Sequence, residues 1–134
     1  MNAALQSIYG HQADIQTHRY SNAKETFIAT YGPGQVFSFR SPGRVNLIGE
    51  HTDYNHGFVL PVALDKDILL LARPRSDNTV RLSDIEEEFP PLSFTISADI
   101  PAAPPGDWGN YARGAAQELT RQMGRELGGL DGLV

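Results

Sequence analysis

The segment that most constrains the fold is DILLLAR, where five apolar residues run from Ile68 to Ala72. This run and TVRLS (Thr79–Ser83) read as strands of one sheet. Alternation marks further strands. QVFSFR sets Val36, Phe37 and Phe39 among polar residues, RVNLI spans Arg44–Ile48, and LSFTIS alternates again. Ser41-Pro42-Gly43 reads as a break between the first two of these. After a polar loop, Gly49–Gly57, the FVLPVAL segment returns to apolar character.

Two helices complete the pattern. Residues 1–20 carry weak periodicity and read as an exposed lead-in; Ser21 then caps a short helix that pairs Phe27 with Tyr31 and stops at Gly32. From Trp108 the period changes, and Tyr111, Ala112, Ala115, Ala116, Leu119 and Met123 form one apolar helical face. Arg113, Glu118, Arg121 and Arg125 fall mainly on the other side, and Asp107 and Asn110 are alternative N-caps. Gly114 reads as a site of close helix packing, and Gly128-Gly129 as the stop. LDGLV then begins another strand, while Glu86-Glu87-Glu88 is a solvated acidic turn and Pro101, Pro104 and Pro105 mark a long connection. The expected class is α+β with a mixed sheet over residues 21–134.

Composition narrows the function. A length of 134 residues fits one domain. Eleven Lys and Arg against sixteen Asp and Glu leave a net charge of −5, which argues against non-specific nucleic-acid binding. With no cysteine there is no disulfide framework, thiolate nucleophile or thiolate metal site. The N-terminus lacks the basic and apolar regions of a secretory leader, and no run approaches the ~20 apolar residues of a membrane helix. A cytoplasmic globular domain with no membrane partner is the expectation.

Groups able to do chemistry concentrate in PGRVNLIGEHTDYN. Arg44 offers a fixed cationic fork suited to a carboxylate or phosphate. Glu50, His51 and Asp53 place three polar side chains within four positions, and in an extended loop His51 and Asp53 share a face. A carboxylate can accept hydrogen bonds from two adjacent hydroxyls, as a sugar presents them, and Tyr54 adds an aromatic neighbour. Two enzymatic alternatives are weaker. Glu50, His51, Asp53 and His56 match no zinc spacing, and nothing marks any serine as the nucleophile of a triad. A loop whose polar groups satisfy only its own backbone is the remaining alternative.

The string from Gly43 to Asn55, followed by GFVLP at Gly57–Pro61, closely resembles the signature of galactokinases in the GHMP small-molecule kinase superfamily. VALD before the long strand and DWGNYARG at Asp107–Gly114 resemble the same family, so the likeness runs over about residues 20–134 and is weakest at 83–106. It implies an N-terminal domain of the ribosomal-protein-S5-like type and ATP-dependent, Mg²⁺-assisted phosphorylation of α-D-galactose at O1. It also implies that Asp53 holds the ring hydroxyls and that Glu50 and His51 hold the hydroxymethyl end. Arg44 would stand near the transferred phosphoryl group as a stabiliser of its charge. Tyr54 and Asn55 would support the sugar contacts, His56 has no assigned role, and Trp108 would either stack near adenine or pack the base of its helix.

The family's second motif, Pro-x-Gly-x-Gly-Leu-Ser-Ser-Ser-Ala, cradles ATP phosphates at a helix N-terminus and is absent from these 134 residues. The resemblance therefore implies the N-terminal portion of a galactokinase, truncated before that loop, with the C-terminal domain absent and no activity alone. A non-catalytic galactose-binding relative and a truncated N-acetylgalactosamine kinase are the alternatives. An isolated portion would expose sheet edges and apolar surface, with marginal stability as the expected result.

Overall fold

In the computed structural model, strands β1 (Phe37–Ile48) and β2 (Leu60–Pro74) form a long antiparallel hairpin, and the DILLLAR run lies inside the second. The structure describes residues 2–86, 88–125 and 127–134, with the backbone alone described for Asn2 and Asp53. Strands β3 (Thr79–Ser83), β4 (Leu92–Thr95) and β5 (Leu130–Leu133) complete a five-stranded sheet in the order β1-β2-β5-β3-β4. β5 runs parallel to β3 and antiparallel to β2, so the sheet is mixed and the fold is α+β.

Among the described residues three α-helices accompany the sheet: α1 (Asn2–Tyr9), α2 (Ala13–Tyr31) and α3 (Gly109–Met123). Strand alternation explains how two of them are used. Leu71 pairs with Leu133, and with Leu69 they meet Ala23 and Phe27 of α2 on one face. Val80 pairs with Phe94 and Leu82 with Gly132, which places Val80, Leu82 and Phe94 on the opposite face under Ala112 and Ala116 of α3. Each helix thus seals one face over a different part of the sheet. Among the described residues no helix is long and apolar enough to cross a membrane.

Several local expectations are corrected. Residues 2–20 are mostly exposed but do not form a plain lead-in: they are helical from Asn2, and α2 already begins at Ala13. Leu5 and Ala13 are buried, and Tyr9 and Arg19 reach across to Asp67. Ser41-Pro42-Gly43 does not break the strand. The register shifts there instead, setting Leu64–Lys66 of β2 opposite Gly43. Proline is tolerated because β1 is an edge strand.

Helix α2 does end at Gly32, whose N–H donates to the Ile28 carbonyl at 2.9 Å. Helix α3 stops earlier than expected, at Gly124, in left-handed conformation and bonded to the Thr120 carbonyl. Gly109, not Gly114, is the close-packed glycine: a Cβ on it would lie 2.3 Å from Leu92 Cδ2, whereas nothing lies within 4 Å at Gly114. The buried side of α3 is Gly109 and Thr120, leaving Tyr111, Leu119 and Met123 of the expected apolar face exposed. Glu86 and Glu88 are exposed in a turn, and Glu87 lies outside the described residues.

Candidate functional site at the hairpin tip

The polar loop is the tip of the β1–β2 hairpin, and it is folded by its own backbone. Gly49 opens it at φ +103°, where a Cβ would lie 2.7 Å from the Phe58 carbonyl oxygen, so a side chain cannot be accommodated. Thr52 organises the turn. Its hydroxyl lies 2.6 Å from the Gly49 carbonyl and 3.1 Å from that of Phe58, clasping both ends of the loop. Its own carbonyl accepts the Asn55 N–H at 3.1 Å and the Gly57 N–H at 2.7 Å. Asn55 Nδ2 donates to the His51 carbonyl at 2.7 Å. These bonds close a 3₁₀ turn at Asp53–Asn55 and hold His51 and His56 at φ +62° and +59°.

The loop is therefore not extended, and two-residue alternation does not govern which side chains share a face. His51 and Tyr54 instead come together as neighbours one turn apart. His51 Nδ1 lies 2.5 Å from the Tyr54 hydroxyl, with the two rings edge to face at 5.9 Å. That contact fixes the imidazole and leaves Nε2 without a hydrogen-bond partner among the described residues. Asp53 stands two positions from His51 at the start of the 3₁₀ turn, and its side chain lies outside the described residues. Glu50 is exposed in the same turn.

Arg44 is in β1 opposite Ala63, exposed, and makes no ion pair with the described side chains. The tip is thus an open surface of hydrogen-bonding groups. Among the described residues, one cleft is lined by Arg19, Asn22 and Asp67, and another by Thr95, Thr120 and Arg121. Trp108 packs at the base of α3 against the Val80–Phe94 cluster, edge to face with Phe89, and its indole N–H donates to the Pro90 carbonyl at 3.2 Å.

Sequence reasoning missed two carboxylates on which most of the buried charge converges. Asp67, with its side chain 1% exposed, accepts hydrogen bonds from the Tyr9 hydroxyl at 2.6 Å, from Arg19 Nη1 at 2.5 Å and from Arg40 Nε. Burial alone would raise its pKa, but these three donors outweigh it and hold the carboxyl below the usual range. Asp131, in β5, meets Arg81 Nε at 2.7 Å, Arg75 Nη1 at 3.0 Å and Arg73 Nη2 at 3.4 Å. It is likewise depressed against the opposing effect of burial. Arg73 also donates to the Tyr31, Gly32 and Pro33 carbonyls at the end of α2, where a cation suits the helix dipole. The available signal was a lone acid interrupting an apolar strand, as in Lys66-Asp67-Ile68 and Leu130-Asp131-Gly132.

Residues 25–74 match the family model described as the galactokinase galactose-binding signature. The match takes in β1, the tip and β2. The structure also resembles that of Lactococcus lactis galactokinase solved with galactose, at a TM-score of 0.70 and 35% sequence identity, over 85% of this chain. The chain spans 30% of the length of that galactokinase.

Proposed function

The chain is a relative of the galactokinases, carrying their galactose-binding signature on a fold matched to the N-terminal portion of such an enzyme, and from this premise we propose that the hairpin tip binds galactose. Glu50 and His51 take the hydroxymethyl end and Asp53 the ring hydroxyls. Charge-assisted bonds of this kind contribute roughly 1.5–3 kcal/mol each, and a sugar lacking the matching hydroxyl leaves them unpaired. The observation that carries the reading is the signature match over the whole hairpin. The His51–Tyr54 contact supports it, because an imidazole held at Nδ1 presents Nε2 in one direction.

The activity proposed for the whole enzyme is ATP-dependent phosphorylation of α-D-galactose at O1, in a cytoplasmic setting. Arg44 would stabilise charge on the transferred group, in keeping with a reaction that depends on positioning and electrostatics. Trp108 near adenine belongs to the same proposal, although its indole N–H is already engaged with Pro90. ATP and Mg²⁺ enter only as co-substrates of that proposed whole-enzyme activity. Among the described residues no three His, Asp or Glu side chains cluster to hold a metal, and the sequence contains no Gly-Leu-Ser-Ser-Ser loop. Purified to homogeneity, the 134-residue chain should form no galactose 1-phosphate from ATP and galactose.

Calorimetric titration tests the binding reading. Galactose should bind, glucose should bind far more weakly, and Asp53→Ala should abolish the preference. Equal binding of both sugars, or no galactose binding, would sink it.

A further inference from the structure

The hairpin changes character at Asp67. On its inner side, Leu69, Leu71 and Ala72 are buried between layers. On its outer side, no described side chain from Ser41 to Lys66 is buried. That stretch contains Arg44 and the entire tip. Among the described residues no helix seals it, and the two strands hold one another through a register broken at Pro42/Arg44 and again at Asn46/Ile48. The distal hairpin is therefore a cantilever, and its direction is set where it leaves the core.

Asp67 sits at that root, directly opposite Pro42. It gathers donors from three other elements. Tyr9 comes from α1 and Arg19 from α2, Arg40 comes from β1 two residues before Pro42, and Asp67 itself belongs to β2. Arg19 also grips the Asp67 carbonyl with Nη2 at 3.0 Å, and the Arg40 guanidinium lies 5.0 Å over the Tyr9 ring. Both strands are thus tied to the helical layer at the last position before the unsupported stretch. The Asp131 knot contrasts with it, being set among β2, β3 and β5 within the sealed part of the sheet.

We propose that Asp67 is a positioning residue for the hairpin tip, clamping β1 and β2 against α1 and α2 so that Arg44 and the loop beyond it hold one orientation. The clamp is a property of the fold; only its consequence for galactose rests on the function proposed above. On this view α1 and α2 serve the tip without touching it.

Amide hydrogen exchange on the 134-residue chain tests the clamp, with Asp67→Asn and the milder Tyr9→Phe. Asp67→Asn should speed exchange at Arg44–Ile48 about tenfold, a selective local opening that leaves Leu69–Leu71 and Leu130–Leu133 unchanged. Tyr9→Phe, which removes one hydroxyl, should give the same pattern at smaller size even if the first variant folds poorly. Equal acceleration in all strands, or none at Arg44–Ile48, would overturn the clamp. A galactose titration of the same variants separates the two proposals. If the parent binds, Asp67→Asn should raise Kd about fivefold with stoichiometry unchanged, and an unaltered Kd would refute the positioning role. If the parent does not bind galactose, the proposed function falls, and the exchange pattern still decides the clamp.

Discussion

The inner and outer halves of the β1–β2 hairpin use the same kind of backbone pairing for different ends. The inner half, near Leu69 and Leu71, lies in a core where Phe27 and Leu133 are essentially solvent-free. The outer half carries Val45, Leu47, Tyr54, Phe58 and Val62 in the open, with Phe58 fully exposed. Dispersion and burial hold the first; a small set of hydrogen bonds centred on Thr52 shapes the second. Stability and the recognition proposed for the tip are thereby separated along one pair of strands. A substitution should be felt as lost folding inside Asp67 and as lost local order outside it.

The largest effect is expected at Phe27. Truncation to alanine removes a fully buried ring facing Leu69, Leu71 and Leu133, and should cost about 3–5 kcal/mol in urea unfolding. If the chain unfolds as before while only the tip loses order, the division between halves is wrong.

Next comes the buried charge. Asp131→Ala leaves Arg73, Arg75 and Arg81 without their shared acceptor and should cost about 3 kcal/mol, less where those side chains reach water. The same interaction predicts acid sensitivity. Both Asp67 and Asp131 titrate below the normal range, so their stabilisation is complete above the unfolded aspartate value of about 4. It is lost as pH falls from there through the folded values. Denaturant midpoints measured between pH 7 and pH 2.5 should drop mainly below pH 4, and Asp131→Asn should flatten that drop. A midpoint insensitive to acid would show that neither knot contributes to folding.

The smallest effect sharpens the outer half. Thr52→Val keeps the shape and removes the hydroxyl bonds to Gly49 and Phe58, a loss of about 1 kcal/mol. Exchange at Asn55 and Gly57 should quicken while the unfolding midpoint of the core barely moves. A matching fall in global stability would mean that tip and core fold as one unit.

What was legible in the sequence follows from the range of the interactions involved. TVRLS, LSFTIS and LDGLV alternate or run apolar because each strand is short and meets the core directly, and each holds a strand, over Leu92–Thr95 in the second and Leu130–Leu133 in the third. Gly32 was readable as a helix stop because a positive φ, +84° here, is a one-residue requirement that glycine meets without strain. The helical start of the chain was not readable. Its helices α1 and α2 bury few apolar residues, and much of their attachment is polar, through bonds from Tyr9 and Arg19 to a residue 58 and 48 positions away. The apolar face expected of α3 packs through Ala112 and Ala116 but not through its large residues, for a related reason. Leu119 and Met123 fit a helical stripe, yet the sheet meets the side marked by the small residues Gly109, Ala112 and Ala116, which let the helix approach.

The candidate site divides in the same way. Gly49, Glu50, His51, Asp53 and Tyr54 were identifiable as a polar, hydrogen-bonding loop from residue types alone. Its conformation was not, because Thr52 clasping two carbonyls makes a 3₁₀ turn where an extended segment was expected. The sequence by itself determined the mixed α+β class, the residues of the tip and the resemblance to galactokinases, since these depend on local pattern and chemical type. Tertiary structure alone decided that Pro42-Gly43 continues a strand, that Asp67 and Asp131 gather arginines from distant segments, and that the tip stands outside the sealed core. The physical reason is common to all three: a charge, a bulge or an exposed face takes its meaning from what lies across the sheet, and in a sheet those neighbours come from far along the chain.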